Sequence, residues 1–146
     1  MELIDEGMCF ICGKRNPIGL KAEFEIDIEN RRLRGYFTPK QEHEGYRGIM
    51  HGGLASALLD EAMVKLLWEI GIPAVSASLS IRLLKPVKVG EQVVMEGWVE
   101  SDKGRVIHTS AELRDTSGTL LAQADGKCVR IRSKEDSGET QHRQED

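Results

Sequence analysis

The stretch Gly53-Leu54-Ala55-Ser56-Ala57-Leu58-Leu59-Asp60-Glu61-Ala62-Met63-Val64-Lys65-Leu66-Leu67-Trp68-Glu69-Ile70 decides the fold. It is rich in helix formers and free of proline, and Gly71, with Pro73 two positions on, stops it. A helix of about five turns is expected. Glu61, Lys65 and Glu69 recur every four residues, a narrow stripe spaced for ion pairs, and Glu61 is expected to be solvated and paired with Lys65. Nearly every other position is apolar or small, so protein should wrap the helix on most sides.

Outward from that helix the sequence reads as strands. Ala22, Phe24, Ile26 and Ile28 alternate with Glu23, Glu25, Asp27 and Glu29, the period of a sheet with one wet face. Asn30 then turns the chain into a second strand over 31–38. After the helix, strands are expected over 75–87, 92–101, 105–114 and 119–132, parted by Gly90, by Asp102-Lys103-Gly104 and by Asp115-Thr116-Ser117-Gly118. On the last strand Leu120, Ala122, Ala124, Gly126 and Cys128 share a face, and such small residues let a helix approach closely. Two strands, a helix and four strands predict an α+β fold, an antiparallel sheet curled around one long helix.

Composition bounds the function. The chain has 146 residues and 40% hydrophobic positions, enough for one domain with a real core, expected over 1–132. The net charge of −4 gives no pull toward a polyphosphate backbone, so no nucleic-acid partner is expected. The segment 133–146 carries two basic against five acidic residues and no apolar one, and is expected to be a disordered acidic tail. No uncharged run reaches the roughly 18 apolar residues of a membrane span, and Met1-Glu2-Leu3-Ile4-Asp5-Glu6 lacks the basic start and apolar run of a signal peptide. A cytoplasmic protein without a membrane partner is expected, its three cysteines held as thiols.

Two features carry chemistry. His51-Gly52-Gly53 opens the helix, and main-chain N–H groups at its positive end suit an oxyanion, although a plain loop-to-helix junction has the same sequence. Asp60 is rotated about 100° off the charged stripe. Its neighbours Ser56, Ala57, Met63 and Val64 offer no opposite charge, so desolvation should raise its pKa and suit it to act as a base near neutral pH. An aspartate that only hydrogen-bonds backbone or water is the other reading.

The segment from His51 to Met63 resembles the signature helix of hotdog-fold acyl-CoA thioesterases, in the group related to the phenylacetate-pathway and 4-hydroxybenzoyl-CoA thioesterases. Cys9-Phe10-Ile11-Cys12-Gly13 with Asn16-Pro17-Ile18-Gly19-Leu20 is similar to the opening of many bacterial members. Ser78-Leu79-Ser80-Ile81-Arg82 leading to Lys85-Pro86-Val87 resembles their first long strand. The resemblance implies a thioester hydrolase in which the acid nine positions after the motif histidine, Asp60, is the catalytic carboxylate. That acid serves as general base on water or as nucleophile through an anhydride, while the N–H of Gly52 polarises the thioester carbonyl. It also implies help from a hydroxyl near the start of the next strand, here Ser76, although Ser78 and Ser80 on the same face would explain all three as small-residue packing. Several relatives carry asparagine where this chain has Gly45, and His43 is a candidate replacement unless it is an exposed loop histidine. His51, Gly53 and Arg82 complete the candidate substrate contacts, and Arg82, Lys85, Lys103 and Arg105 are candidates for the phosphates of coenzyme A or are solvated strand ends.

Gly52 and Asp60 are eight residues apart, about 12 Å along one helix. A base and an oxyanion donor serving one carbonyl should lie within about 6 to 7 Å of each other. A homodimer with antiparallel helices is therefore expected, each site taking Gly52 from one subunit and Asp60 with Ser76 from the other. The resemblance adds pairing of dimers into tetramers. Cys9-x-x-Cys12 is a single knuckle, short of the four ligands of a zinc site and without the βαβ setting of a redox pair. It is expected to pack the N-terminal segment, with zinc shared across a dimer as the alternative, and Cys128 is expected in the core and His108 as a satisfied structural histidine. The activity expected is acyl-CoA hydrolysis without metal or redox cofactor, coenzyme A entering as part of the substrate. A hotdog dehydratase or hydratase, and a non-catalytic acyl-CoA binding or sensing module, are the alternatives.

Overall fold

The computed structural model of the chain describes residues 1–131, and the expected acidic tail lies outside the described residues. Strands β1 (Glu23–Asp27) and β2 (Arg32–Phe37) precede a single 3-10 turn (Gln41–His43) and helix α1 (Gly52–Glu69). Strands β3 (Ala74–Leu83), β4 (Val93–Lys103), β5 (Val106–Asp115) and β6 (Leu120–Arg130) follow. All six form one antiparallel sheet in the order β1-β2-β4-β5-β6-β3, with α1 packed on it. This is the hotdog fold, an α+β arrangement. Among the described residues no helix is long and apolar enough to cross a membrane.

Both ends of α1 follow from local chemistry. His51 is the N-cap, its Nδ1 accepting the Gly53 N–H at 2.9 Å, so the helix begins one residue earlier than expected. At the other end Gly71 takes φ +84°, which a side chain would resist. There the Ile72 N–H donates to Leu67 O and the Gly71 N–H to Trp68 O, the paired bonds of a Schellman ending, and Ile72 packs in the same apolar cluster as Leu67.

The core forms where α1 meets the sheet. Leu58, Leu59, Met63 and Leu66 are fully buried with Leu33, Met95 and Leu113, each such side chain contributing roughly 1.5–3 kcal/mol by leaving water. Two glycines set the spacing. A Cβ at Gly97 on β4 would lie 2.5 Å from the Ala62 carbonyl oxygen, and one at Gly126 on β6 would lie 3.1 Å from Met63 Sδ. The small-residue face of β6 therefore does admit the helix, but the closest backbone approach is on β4.

Three patterns depart from simple alternation. Ile28 is exposed because the Asp27 carboxylate accepts the Asn30 N–H and Nδ2 and bends the chain there, ending β1 at Asp27. A register shift beside Leu113 pairs Arg114 with Leu120, so Leu121 joins Ala122 in the buried set and Leu120 is only half-buried. On β3 the pairing slips between Ser76 and Ser78, with Ser76 opposite Cys128 and Ser78 opposite Lys127. One extra residue, Ala77, thus inverts the facing of the strand.

Within one chain, helix α1 keeps one face uncovered. Gly53, Ala57, Asp60, Val64 and Trp68 fall on one face of it, and all five remain half-buried or exposed. Beside that face runs β3, the long edge of the sheet: Leu79 and Leu83 are 40% and 55% exposed.

Candidate active site

The bulge at Ala77 selects Ser76. Its Oγ donates to Asp60 Oδ1 at 2.6 Å. Ser78 and Ser80 lie instead on the opposite face of the sheet, lining a hollow with Glu100, His108 and Asp125. The expectation that the three serines share a face is corrected: one inserted residue separates the first from the others, so small-residue packing does not account for Ser76. Asp60 itself is half-buried, not enclosed, and opens with Ser76 onto a cleft of about 610 Å³ between α1, the start of β3 and the N-terminal segment.

Gly52, the first residue of α1, lines a different cavity of about 380 Å³ with Met50, His51, Leu83 and Lys85. Its N–H has no acceptor among the described residues, as helix geometry requires for a first-turn donor left uncapped. The Gly53 N–H is already taken by His51 Nδ1, so Gly53 offers no free donor and that nitrogen of His51 is occupied. Within one chain, then, the unpaired donor and the carboxylate open onto separate cavities.

The remaining candidates divide. His43 is not a free loop histidine: its Nδ1 accepts the Lys40 N–H at 2.9 Å, its ring packs 5.3 Å from Phe37, and its carbonyl accepts the His51 N–H. It holds the loop that presents His51 and lines neither cavity. Arg82 is exposed on β3 with no carboxylate partner among the described residues. His108 is exposed on the outer face, not satisfied within the structure, whereas Cys128 is buried in the core as expected.

Glu61 departs most from its reading. Lys65 pairs with Glu69 at 2.9 Å, and the half-buried Glu61 carboxylate accepts instead from Cys12 Sγ at 2.9 Å and Cys9 Sγ at 3.5 Å. Burial, and then the hydrogen bond and charge of Glu61, push the Cys12 thiol far above the ordinary thiol range. Nothing in linear spacing pairs residue 61 with residues 9 and 12. The one available signal was the knuckle Cys-x-x-Cys-Gly, which needs partners from elsewhere.

Fold and site together define a class. The family model of the thioesterase superfamily matches residues 47–122, just over half the chain, and the chain belongs to that superfamily. Human acyl-coenzyme A thioesterase 13 is 34% identical over 87 residues, 58% of this chain and 62% of its own length. The match thus spans less than two thirds of that curated relative. Among solved structures, a thioesterase superfamily protein superposes with a TM-score of 0.79 at 25% identity, covering 84% of this chain and 60% of the other. The Escherichia coli PaaI protein of the phenylacetic acid degradation operon gives a TM-score of 0.73 at 20% identity, covering 78% and 82%, a likeness of fold.

Proposed function

We propose that this protein hydrolyses acyl-CoA thioesters as a homodimer, with each active site shared between two copies. The observation that carries the reading is the Ser76–Asp60 hydrogen bond at the mouth of a cleft, with the unpaired Gly52 N–H in a separate cavity of the same chain. Asp60 and Gly52 are about 12 Å apart along α1, too far to act on one carbonyl. A second copy added antiparallel along the free β3 edge covers the exposed Leu79 and Leu83 and fills the open face of α1 with the partner's helix. Such a pairing would bring Gly52 of one copy toward Asp60 of the other.

In the general-base route Asp60, held by Ser76, takes a proton from water as the oxygen attacks the thioester carbonyl. The charge that develops on the carbonyl oxygen is met by the Gly52 N–H at the positive end of α1. The carbon–sulfur bond then breaks, and the departing thiolate takes up the proton. In the nucleophilic route Asp60 displaces the thiolate itself, and water opens the resulting anhydride. The name of the human relative supports coenzyme A as the carrier, and Lys85, which lines the Gly52 cavity, offers a cation for its phosphates. No step draws on a redox group.

Hydrolysis of short, aromatic and long acyl-CoAs by the wild type and Asp60→Asn, with sedimentation to count chains, tests the reading. Turnover that falls on substitution, in a particle of two or four chains, is expected. Tight acyl-CoA binding without turnover would replace hydrolysis by a sensing role. An active single chain would remove the shared site.

A further inference from the structure

We propose that Cys9, Cys12 and Glu61 form a zinc site that clamps the N-terminal segment to the middle of α1. The proposal does not depend on the hydrolytic reading. The three ligand atoms lie within 4.8 Å of one another, brought from parts of the chain 49 to 52 residues apart. A tetrahedral Zn²⁺ with Zn–S of about 2.3 Å and Zn–O of about 2.0 Å separates a sulfur from an oxygen by ~3.5 Å. Cys9 Sγ stands 3.5 Å from both Glu61 oxygens. Cys12 Sγ is closer, at 2.9 Å from one of those oxygens, so that pair would open by about 0.6 Å around an ion.

The knuckle is built for this. The Gly13 N–H donates to Cys9 O at 2.8 Å, closing the turn that brings both sulfurs to one side. A Cβ at position 13 would lie 2.4 Å from Cys9 N and 2.6 Å from the Gly7 carbonyl oxygen, so only glycine fits. Glu61 has no cationic partner within salt-bridge distance among the described residues. Two thiols are an uncommon sole company for a half-buried carboxylate, and a divalent cation matches all three ligands better than protons do.

Binding replaces the two thiol protons, which go to solvent, and leaves the site with a net charge of about −1 beside the Lys65 ammonium. The three residues line the same cleft as Asp60 and Ser76, so water from that cleft fills the fourth position.

The test is titration of the reduced full-length chain with Co²⁺ and then Zn²⁺, read by absorption and by metal content. One Co²⁺ per chain is expected, with thiolate-to-cobalt charge-transfer bands that Zn²⁺ abolishes. Cys9→Ser and Cys12→Ser should lose those bands, and Cys128→Ala should keep them. Glu61→Gln should weaken binding beyond the ~10–100-fold that outer-shell changes cost. The absence of charge-transfer bands in the reduced wild type would overturn the site. So would a Glu61→Gln variant that binds as tightly as the wild type, or a chain that holds Cys9 and Cys12 only as a disulfide.

Discussion

Removing Ser76 and Asp60 singly and together measures whether the two act as one unit. The Ser76 hydroxyl makes a single 2.6 Å bond to Asp60, and both residues reach the open cleft. A hydrogen bond to a charged group contributes about 1.5–3 kcal/mol, and solvent access favours the lower end. Ser76→Ala should therefore lower kcat/KM by roughly tenfold, since about 1.4 kcal/mol is one decade. Asp60→Asn should cost about 10²–10⁴-fold, the range for a lost general base. In the double variant the serine has no carboxylate left to orient, so its removal should cost nothing further, and the coupling should be about 1.5 kcal/mol. The assay is steady-state thioester cleavage followed through the free thiol, with circular dichroism to confirm that each variant folds. Strictly multiplicative losses, or Asp60→Asn within a few-fold of the wild type, would refute the reasoning.

Other substitutions test other links. Gly52→Pro removes the unpaired N–H at a helix position where proline is tolerated, His51 already has the extended ψ of 129° that a following proline demands, and the added Cβ meets only the end of the Leu83 side chain, at 2.9 Å, which has to shift aside. Activity should fall about 10²–10³-fold with the fold kept, and mixing this chain with Asp60→Ala should restore part of it if sites are shared; no recovery counts against the dimer. Gly97→Ala forces a Cβ to 2.5 Å from Ala62 O, and should cost about 1–3 kcal/mol in urea unfolding. Asp102 is held below its ordinary pKa of 3.8, first by its hydrogen bond from Arg31 and then by the charges of Arg130 and Arg31. A depressed folded pKa means a contribution present above the unfolded value and lost as pH falls through the folded one. Asp102→Asn should thus flatten the acid limb of stability below about pH 4, by a small margin because the group is part-exposed.

The sequence alone determined the elements and singled out one acid as the candidate. Helix propensity, the stop at Gly71 and period-two alternation are local properties, so α1 and the six strands were legible to within a few residues. Asp60 stood out because it alone among the acids of α1 lies off the charged stripe. The tertiary structure decided what local patterns do not encode. A one-residue bulge, invisible in composition, turned Ser76 toward Asp60 and Ser78 away from it. The packing of the N-terminal segment on α1 gave Glu61 two thiols in place of the lysine four residues on. Periodicity reports which face of an element a residue occupies, while its partner depends on which distant segment packs against that face.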